Sequence, residues 1–342
     1  MFCQTCGGEV PEQARFCGAC GAPLATDAAR HPDFRADGGA FFLLFLKNVL
    51  LTVLTLGIYS AWAKTRVRQY LWSHFGLDGE FFSYHGTGME LLISRLKLLA
   101  AGAVAILALV AAVFALQSAG IPPEKASPVI ALGVYATIAL LVPFAMVGAA
   151  RYRLSRTSYR GVRFSFRGEY GALLGIFVKG VLLSVLTLGI YSPVFLVNIF
   201  AFFARNTFYG NEAFAFEGDG QELIVPYLIA LVLALPTLGI SFFWFNAART
   251  RYCWSRLRTG SLRLQSEVQG GGLFGLTVGN ILLMIVTLGI TYPWTVLRNI
   301  RFFADHLSVS GDLNWEAIRQ EARPATAFGE GLADALDLDV GL

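Results

Sequence analysis

The stretch "LTLGIYS" at residues 54–60 decides how this chain folds, because versions of it occur four times. It recurs as "LTLGIYS" at 186–192, "PTLGISF" at 236–242 and "VTLGITY" at 286–292. Threonine can bond back to a carbonyl one turn earlier, and glycine tolerates a left-handed backbone, so each copy predicts a helix that ends and turns. We interpret the motif as packing at the membrane face, between a span and an interfacial helix, with ligand binding by the broken helix ends as the alternative. The motif residues are Thr55, Gly57, Thr187, Gly189, Thr237, Gly239, Thr287 and Gly289.

The composition is that of a membrane protein. Of 342 residues, 55% are hydrophobic and 15% are charged, and the mean hydropathy is +0.58. Soluble domains carry roughly 25% charged residues, and a transmembrane helix needs about 20 apolar residues. The sequence therefore predicts an all-α polytopic membrane protein with about six transmembrane helices. The apolar blocks are 41–63, 98–117, 128–150, 171–204, 223–248 and 272–297.

The chain also repeats at a longer scale. The last three TLGI copies lie 50 residues apart, and such a constant spacing is typical of a structural repeat. Most units continue with a basic and aromatic helix and a short strand-like connection such as "FSFRG" at 164–168 or "FAFEG" at 214–218. We count five units and interpret block 98–117, which has no counterpart, as an insertion.

These repeats carry a resemblance to a known family. The segment "NVLLTVLTLGIYSAWAKTRVRQY" at 48–70, its later copies and the "FSFRG" and "FAFEG" segments resemble the YjgN family of bacterial inner-membrane proteins. The resemblance covers residues 41 to about 320. It implies a multispanning inner-membrane protein and brings no established activity.

A separate module is predicted at the N-terminus. Two CxxC pairs, each followed by glycine, supply four thiolates in a spacing that suits tetrahedral zinc. The segment resembles a short zinc ribbon, and two disulfides or a redox pair are the alternatives. With four protein thiolates, Zn²⁺ has no open position for catalysis, so its role is structural or the ribbon is a docking surface. The predicted ligands are Cys3, Cys6, Cys17 and Cys20.

The predicted domains follow from these motifs. Residues 1–24 form the ribbon, 25–40 a polar linker, 41–320 the YjgN-like transmembrane repeat domain and 321–342 a flexible acidic tail.

The charges between the blocks predict an orientation. Basic loops stay in the cytoplasm, which places 64–97, 151–170 and 249–271 inside and the acidic 204–222 outside. Six simple spans would then put the ribbon outside, where its thiols would oxidise. We expect a cytoplasmic ribbon, so either the first block is re-entrant at 55–60 or the first basic loop is exceptional.

Two sets of polar residues are candidate sites. Lys47, Lys179 and Asn280 share a depth before their TLGI motifs, which predicts an intramembrane polar track for an anion or a proton. The alternative is that the lysines snorkel to the headgroups. Arginines interleaved with aromatic residues are predicted to face anionic headgroups. They are Arg66, Arg68, Arg151, Arg153, Arg249 and Arg251.

The functional expectation is correspondingly broad. The sequence has no P-loop, GxSxG or HExxH motif, so we expect no enzyme. A transporter or channel for a small polar or anionic solute is the first hypothesis, with the ribbon as a docking module for a protein partner. A non-transporting scaffold or envelope-stress component is the second. The lipid bilayer is the expected surrounding, and nucleic acid is not an expected partner. The sequence leaves the substrate and the oligomeric state open.

Overall fold

The structure is a computed structural model, and it describes most of the chain. The described residues are 6, 8–9, 18–21, 29–118, 120, 122–311, 318–321 and 325–336.

Helices occur in pairs, and four of the pairs are joined by a TLGI turn. In each of these pairs an apolar helix runs to the turn, and a second helix of similar length returns from it. After each of the first four pairs, a ten-residue segment that contains two or three short strands leads to the next pair. The helices are α1 (Gly38–Leu54), α2 (Ser60–Ser73), α3 (Gly88–Ser118), α4 (Pro123–Arg156), α5 (Tyr170–Leu186), α6 (Ser192–Arg205), α7 (Ile224–Ala234), α8 (Ser241–Ser255), α9 (Gly270–Val286), α10 (Tyr292–Asp305) and α11 (Phe328–Ala335).

The strands between helix pairs form two antiparallel sheets. The strands are β1 (Asp33–Phe34), β2 (Phe75–Leu77), β3 (Glu80–Phe81), β4 (Ser83–Tyr84), β5 (Thr157–Tyr159), β6 (Val162–Phe166), β7 (Thr207–Tyr209), β8 (Glu212–Phe216), β9 (Leu257–Thr259), β10 (Leu262–Ser266) and β11 (Leu307–Ser310). Strands β4 to β11 form an eight-stranded sheet in chain order, and β1, β2 and β3 form a smaller one.

The two sheets are continuous with each other at both ends. Strands β3 and β4 are separated only by Phe82, whose N–H bonds to the carbonyl of Phe75 at 3.0 Å. At the other end, Arg30, just before β1, exchanges two backbone hydrogen bonds with Val309 of β11, at 2.8 and 2.7 Å. The helices close in the same way, because each contacts the next from α1 to α10, and α10 contacts α1. Five units therefore form one closed ring.

The predicted helical character is confirmed, and the connections are more ordered than predicted. The chain is mostly helical, but its short strand-like connections combine into sizeable sheets. One hydrophobic core lies where helices meet these strands, and it contains Val197, Phe216, Phe245 and Leu257. The alternating segments form strands because every second side chain of such a segment can enter the core.

Block 98–117 is not an insertion. It belongs to α3, which occupies the first-helix position of the second unit. Gly88 lies against the indole of Trp62 in the preceding helix, just as Gly270 lies against Trp244. Sequence comparison finds no counterpart for the block because this unit lacks a TLGI turn and its helices continue further.

The alternation of loops across a membrane is also corrected. Segment 204–222 contains β7 and β8, which are hydrogen-bonded to β6 and β9 of the basic connections. Strands that share backbone hydrogen bonds cannot lie on opposite sides of a bilayer, so all these connections lie at the same end of the helices. The acidic segment therefore lies on the same side as the basic connections, and the predicted separation of the two across a membrane is wrong.

The helix lengths differ from the prediction of about six spans. Within the described part of the chain, α3 alone is long and apolar enough to qualify as a membrane span. Five shorter segments, including α1, α5 and α9, are apolar but have at most 17 residues. The expected linker contains β1, and the expected flexible tail contains α11, which is docked in the molecule.

Candidate functional site: a charged cluster around the C-terminal helix

Helix α11 fills a groove formed by α2, α3 and α4. Ala333 is fully buried and Leu332 nearly so, and both pack against Ala145 and Ala149 of α4. The backbones meet where two glycines face each other: a Cβ on Gly148 would lie 2.4 Å from the Cα of Gly329. A side chain at either position would force the helices apart, so the groove is shaped to receive this helix.

The first acidic residue of α11 sits between two arginines. Glu330 is 0% exposed and accepts hydrogen bonds from Arg68 of α2 at 2.5 Å and from Arg153 of α4 at 2.8 Å. Burial alone raises the pKa of a carboxyl group. The charges and hydrogen bonds of Arg68 and Arg153 outweigh it and hold the pKa of Glu330 below its usual value.

One turn later, Asp334 meets two further cations. It pairs with Arg95 of α3 at 2.5 Å and with Lys64 of α2. Arg95 also donates to the hydroxyl of Ser60, which begins α2 beside the first TLGI turn, at 2.5 Å. In this charged cluster, four cationic side chains from three helices surround two carboxylates, so the six groups together carry a positive charge.

A cavity of about 630 Å³ opens beside the charged cluster. It lies between α1, α2 and α10 and extends to α4 and α11. Three of the four cations reach its wall, together with Asp334 and a larger number of apolar side chains. Its lining includes Lys64, Arg68, Arg153, Asp334, Phe45 and Val296.

One buried polar atom of the cavity wall lacks a partner. Asn48 of α1 is 4% exposed, and its amide nitrogen makes one long bond of 3.4 Å to the carbonyl of Ala63. Its Oδ1 atom is buried with no hydrogen-bond partner within the described residues. Buried polar groups are nearly always satisfied, so Asn48 offers an unused hydrogen-bonding group at the cavity.

The predicted polar track does not come together. Lys47 and Lys179 are both exposed on the outer surfaces of α1 and α5. Asn280 is 9% exposed and instead donates to Asn299 of α10 at 2.8 Å. The lysines therefore face away from the interior that Asn280 enters.

The six predicted headgroup-facing arginines fall into different environments. Arg68 and Arg153 point inward to Glu330. Arg151 and Arg251 are exposed, and each donates to a carbonyl 17 residues further on, at 2.6 and 2.5 Å, where the next unit begins. These bonds connect the second and the fourth unit to their successors. The remaining two are Arg66, exposed and 5.5 Å from the ring of Tyr59, and Arg249, half-buried.

The TLGI residues all lie at turns between paired helices. In the first, Thr55 Oγ1 donates to the carbonyl of Leu51 at 2.7 Å and accepts the N–H of Tyr59 at 2.9 Å. Gly57 has φ +92° and Leu56 has φ +50°. The other three turns have the same φ pattern and the same double role of the threonine hydroxyl.

The predicted zinc ligands are described only in part. Cys3 and Cys17 lie outside the described residues, whereas Cys6 and Cys20 lie on exposed turns. Within the described part of the chain, no group of three or more His, Cys, Asp or Glu side chains could hold a metal ion.

The sequence interpretation missed the two acidic residues of the cluster. Glu330 and Asp334 lie four residues apart in "FGEGLADA", so they share one face of a short helix. That spacing was the available signal, together with the small residues on either side. Arg95, which lies three residues before the apolar block 98–117, was a second signal.

The chain matches a family model described as bacterial protein of unknown function (DUF898), over residues 30–243 and 221–335. The chain belongs to the DUF898 family. Three curated proteins named "Inner membrane protein YjgN" are similar to this DUF898 member. The Salmonella typhimurium protein is 23% identical over 85% of this chain and 91% of its own length. The Escherichia coli O157:H7 protein is 27% identical, over 63% of this chain and 49% of its own length. The Escherichia coli K12 protein is 25% identical, over 61% and 57%. No solved structure matches the chain.

Proposed function

We propose that this DUF898 member is an inner-membrane protein that binds and moves a small anionic solute through the cavity beside the charged cluster. The location is carried over from the relatives, which are named inner membrane proteins. One observation carries the solute class: four cations converge on two carboxylates beside the cavity, and three of these cations line its wall.

The electrostatic argument rests on the cost of burying charge. An unpaired charge in a poorly hydrated site costs several kcal/mol, so clusters of cations are retained where an anion compensates them. Glu330 pairs with Arg68 and Arg153, and Asp334 pairs with Lys64 and Arg95. A solute anion in the cavity adds an acceptor for the N–H groups of Lys64 and Arg68, which reach its wall. The apolar side of the cavity accommodates the rest of the solute.

The test uses a pair of lysine variants on adjacent helices. Lys64→Met removes one cation of the cavity wall while Asp334 keeps its bond to Arg95. Lys47→Met makes the same chemical change on the outer surface of α1. Uptake of chloride, inorganic phosphate and succinate into proteoliposomes is measured for both variants. Each measurement is made in the full chain and in a chain that ends at Thr326 and therefore lacks α11.

The expected result is a loss of anion flux in Lys64→Met and not in Lys47→Met. Lys64→Met lowers the flux of the transported anion roughly tenfold, as expected for a lost interaction of about 1.4 kcal/mol, and Lys47→Met leaves it unchanged. If neither the full nor the shortened chain moves any of the three anions above empty vesicles, the proposal is wrong. Equal behaviour of the two lysine variants would also overturn it.

A second candidate, a docking module at the N-terminus, is favoured by the placement of its turns. A Cβ on Gly8 would lie 3.5 Å from Cys6 Sγ and 3.6 Å from the Cβ of Ala19, so the two cysteine turns are neighbours. This suits one ion held by Cys3, Cys6, Cys17 and Cys20, and Zn²⁺ would then hold the small module folded. Zinc content after purification under reducing conditions tests it: the expectation is one zinc per chain, and none in a Cys6→Ser, Cys20→Ser variant. A metal-free wild-type chain would contradict it.

A further inference from the structure

The tips of the four short helix pairs expose a large apolar residue in a costly backbone conformation. Each TLGI leucine has a positive φ, between 49° and 52°, and is 90–94% exposed. A left-handed backbone costs a residue other than glycine roughly 1–2 kcal/mol. All four TLGI turns carry this conformational cost at the leucine of the motif. The residues are Leu56, Leu188, Leu238 and Leu288.

The turns leave none of their amides unsatisfied. In the first turn, all six N–H groups from Thr55 to Ser60 have acceptors: Gly57 bonds to the carbonyl of Thr52 at 2.8 Å, and Tyr59 bonds to the Thr55 hydroxyl. The corresponding six amides in each of the other three turns are bonded in the same pattern. In water such completeness is unnecessary, because exposed amides bond to solvent. In hydrocarbon it is obligatory, because an unbonded amide there costs several kcal/mol.

The turns also lie at the centre of uncharged sequence. No Asp, Glu, Lys or Arg occurs between Lys47 and Lys64, between Lys179 and Arg205, between Glu222 and Arg249, or between Glu267 and Arg298. The first turn has one charged neighbour from another unit, Arg95 of α3, which donates to the hydroxyl of Ser60 at 2.5 Å. Within its own sequence, each short helix pair therefore has an uncharged tip.

The helix lengths distinguish these tips from the second unit. Helices α1, α5 and α9 have 17 residues, about 25 Å at 1.5 Å per residue, whereas the hydrocarbon layer is about 30 Å thick. Helix α3 has 31 residues, about 46 Å by the same rise. A short pair that starts at one membrane surface ends before the opposite headgroups, and α3 passes beyond them.

From these observations we infer that the four TLGI tips are lipid-binding surfaces that lie inside the hydrocarbon layer, with their leucines in contact with acyl chains. The short helix pairs enter the bilayer and return to the side they came from, and the α3–α4 pair is the one that reaches the other side. The connections between pairs, including the basic ones, then share the cytoplasmic side, as the continuous sheets require. This inference does not depend on anion transport.

Cysteine accessibility tests the inference in intact cells. Leu188→Cys places the probe at a tip, Ser118→Cys at the end of α3 and Glu80→Cys on the sheet. A membrane-impermeant maleimide is applied before and after permeabilisation, and again in SDS. Modification is read by mass spectrometry at the peptide that carries each introduced cysteine, so the native cysteines do not interfere.

The expected pattern separates the three positions. Ser118→Cys reacts in intact cells, Glu80→Cys reacts after permeabilisation, and Leu188→Cys reacts only in SDS. Reaction of Leu188→Cys in intact cells would show that the tip reaches the far aqueous phase, and reaction after permeabilisation would place it in the cytoplasm. Disulfide-linked dimers of Leu188→Cys would show that a second copy covers the tip. Each of these three results overturns the inference.

Discussion

The second helix pair and the four short pairs are built from one repeat, yet they carry different properties. The short pairs end in a TLGI turn with an exposed leucine and no charged residue within the turn sequence. The second pair has no such turn, and its helices are about twice as long. It also receives α11, and it contributes Arg95 and Arg153 to the charged cluster. The unit that departs from the repeat thus supplies the groove for α11 and half of the cations of the charged cluster, and the first short pair supplies the other half through Lys64 and Arg68.

Among the variants that test this comparison, Glu330→Gln is expected to have the largest effect. The substitution keeps the shape of the side chain but removes the buried carboxylate that pairs with Arg68 and Arg153, and breaking a buried ion pair in this way destabilises the docked helix by about 3–5 kcal/mol. Hydrogen exchange of residues 328–335 in nanodiscs measures the loss of protection. The control is Glu321→Gln, because Glu321 makes an exposed ion pair with Arg167 and contributes about 0–1 kcal/mol. Equal protection in both variants would show that the buried pairs do not hold α11.

A smaller effect is expected from Gly148→Ala, which tests the fit of α11 against the second pair. The new methyl group would lie 2.4 Å from the Cα of Gly329, so α11 must shift, at a cost of about 1–3 kcal/mol. Gly133→Ala on the same helix is the matched control, because nothing lies within 4 Å of its Cβ position. The thermal midpoint in detergent should fall for Gly148→Ala alone. An unchanged midpoint would show that the two backbones can separate without cost.

The short pairs are tested by Thr55→Val, which keeps the shape of the side chain. It removes the acceptor of the Tyr59 N–H, and an unsatisfied buried amide costs about 1–3 kcal/mol. Thr137→Val is the control, because the Thr137 hydroxyl donates to the carbonyl of Gly133 within an uninterrupted helix. Thermal unfolding in nanodiscs should distinguish the two. Equal midpoints would indicate that water reaches the turn and satisfies the amide.

The smallest effect is a gradual pH dependence of the docked α11. The pKa of Glu330 in the folded chain lies below its ordinary value of 4.5. Ionised Glu330 therefore contributes stability that is present above about pH 4.5, and this stability is lost as the pH falls through the folded pKa. Protection of residues 328–335, corrected for intrinsic exchange, should decline below pH 4.5 in the wild type and decline less in Glu330→Gln, which keeps the pairs of Asp334 with Arg95 and Lys64. A decline that begins near neutral pH would assign the effect to another group.

The helix pairs were largely predictable because their signals are local. Threonine and glycine in TLGI specify a turn by short-range hydrogen bonds, and the alternating "FSFRG" pattern specifies a strand. The second pair was misread as containing an insertion because it lacks that turn signal. Local patterns identified the repeat wherever it was kept and failed where the chain departed from it.

The charged cluster and the closed ring could not be read from local patterns. Arg68 and Glu330 are 262 residues apart in sequence, and Arg30 and Val309 meet from the two ends of the repeat domain. The carboxylates lie in a short segment that by composition resembles a solvated tail. The segment packs into the interior because its carboxylates pair with cationic side chains and because Gly329 packs against Gly148. These partners come together only in the folded groove.

The hydrogen bonds between Arg30 and Val309 have a consequence for synthesis. Four units can pair their strands as they leave the ribosome, but the fifth strand pair joins the beginning of the domain to its end. Strand β1 can pair with β2, and Arg30 with Asp78, well before Val309 is synthesised. The two backbone bonds between Arg30 and Val309, and with them the closure of the ring, form only once the last unit is complete.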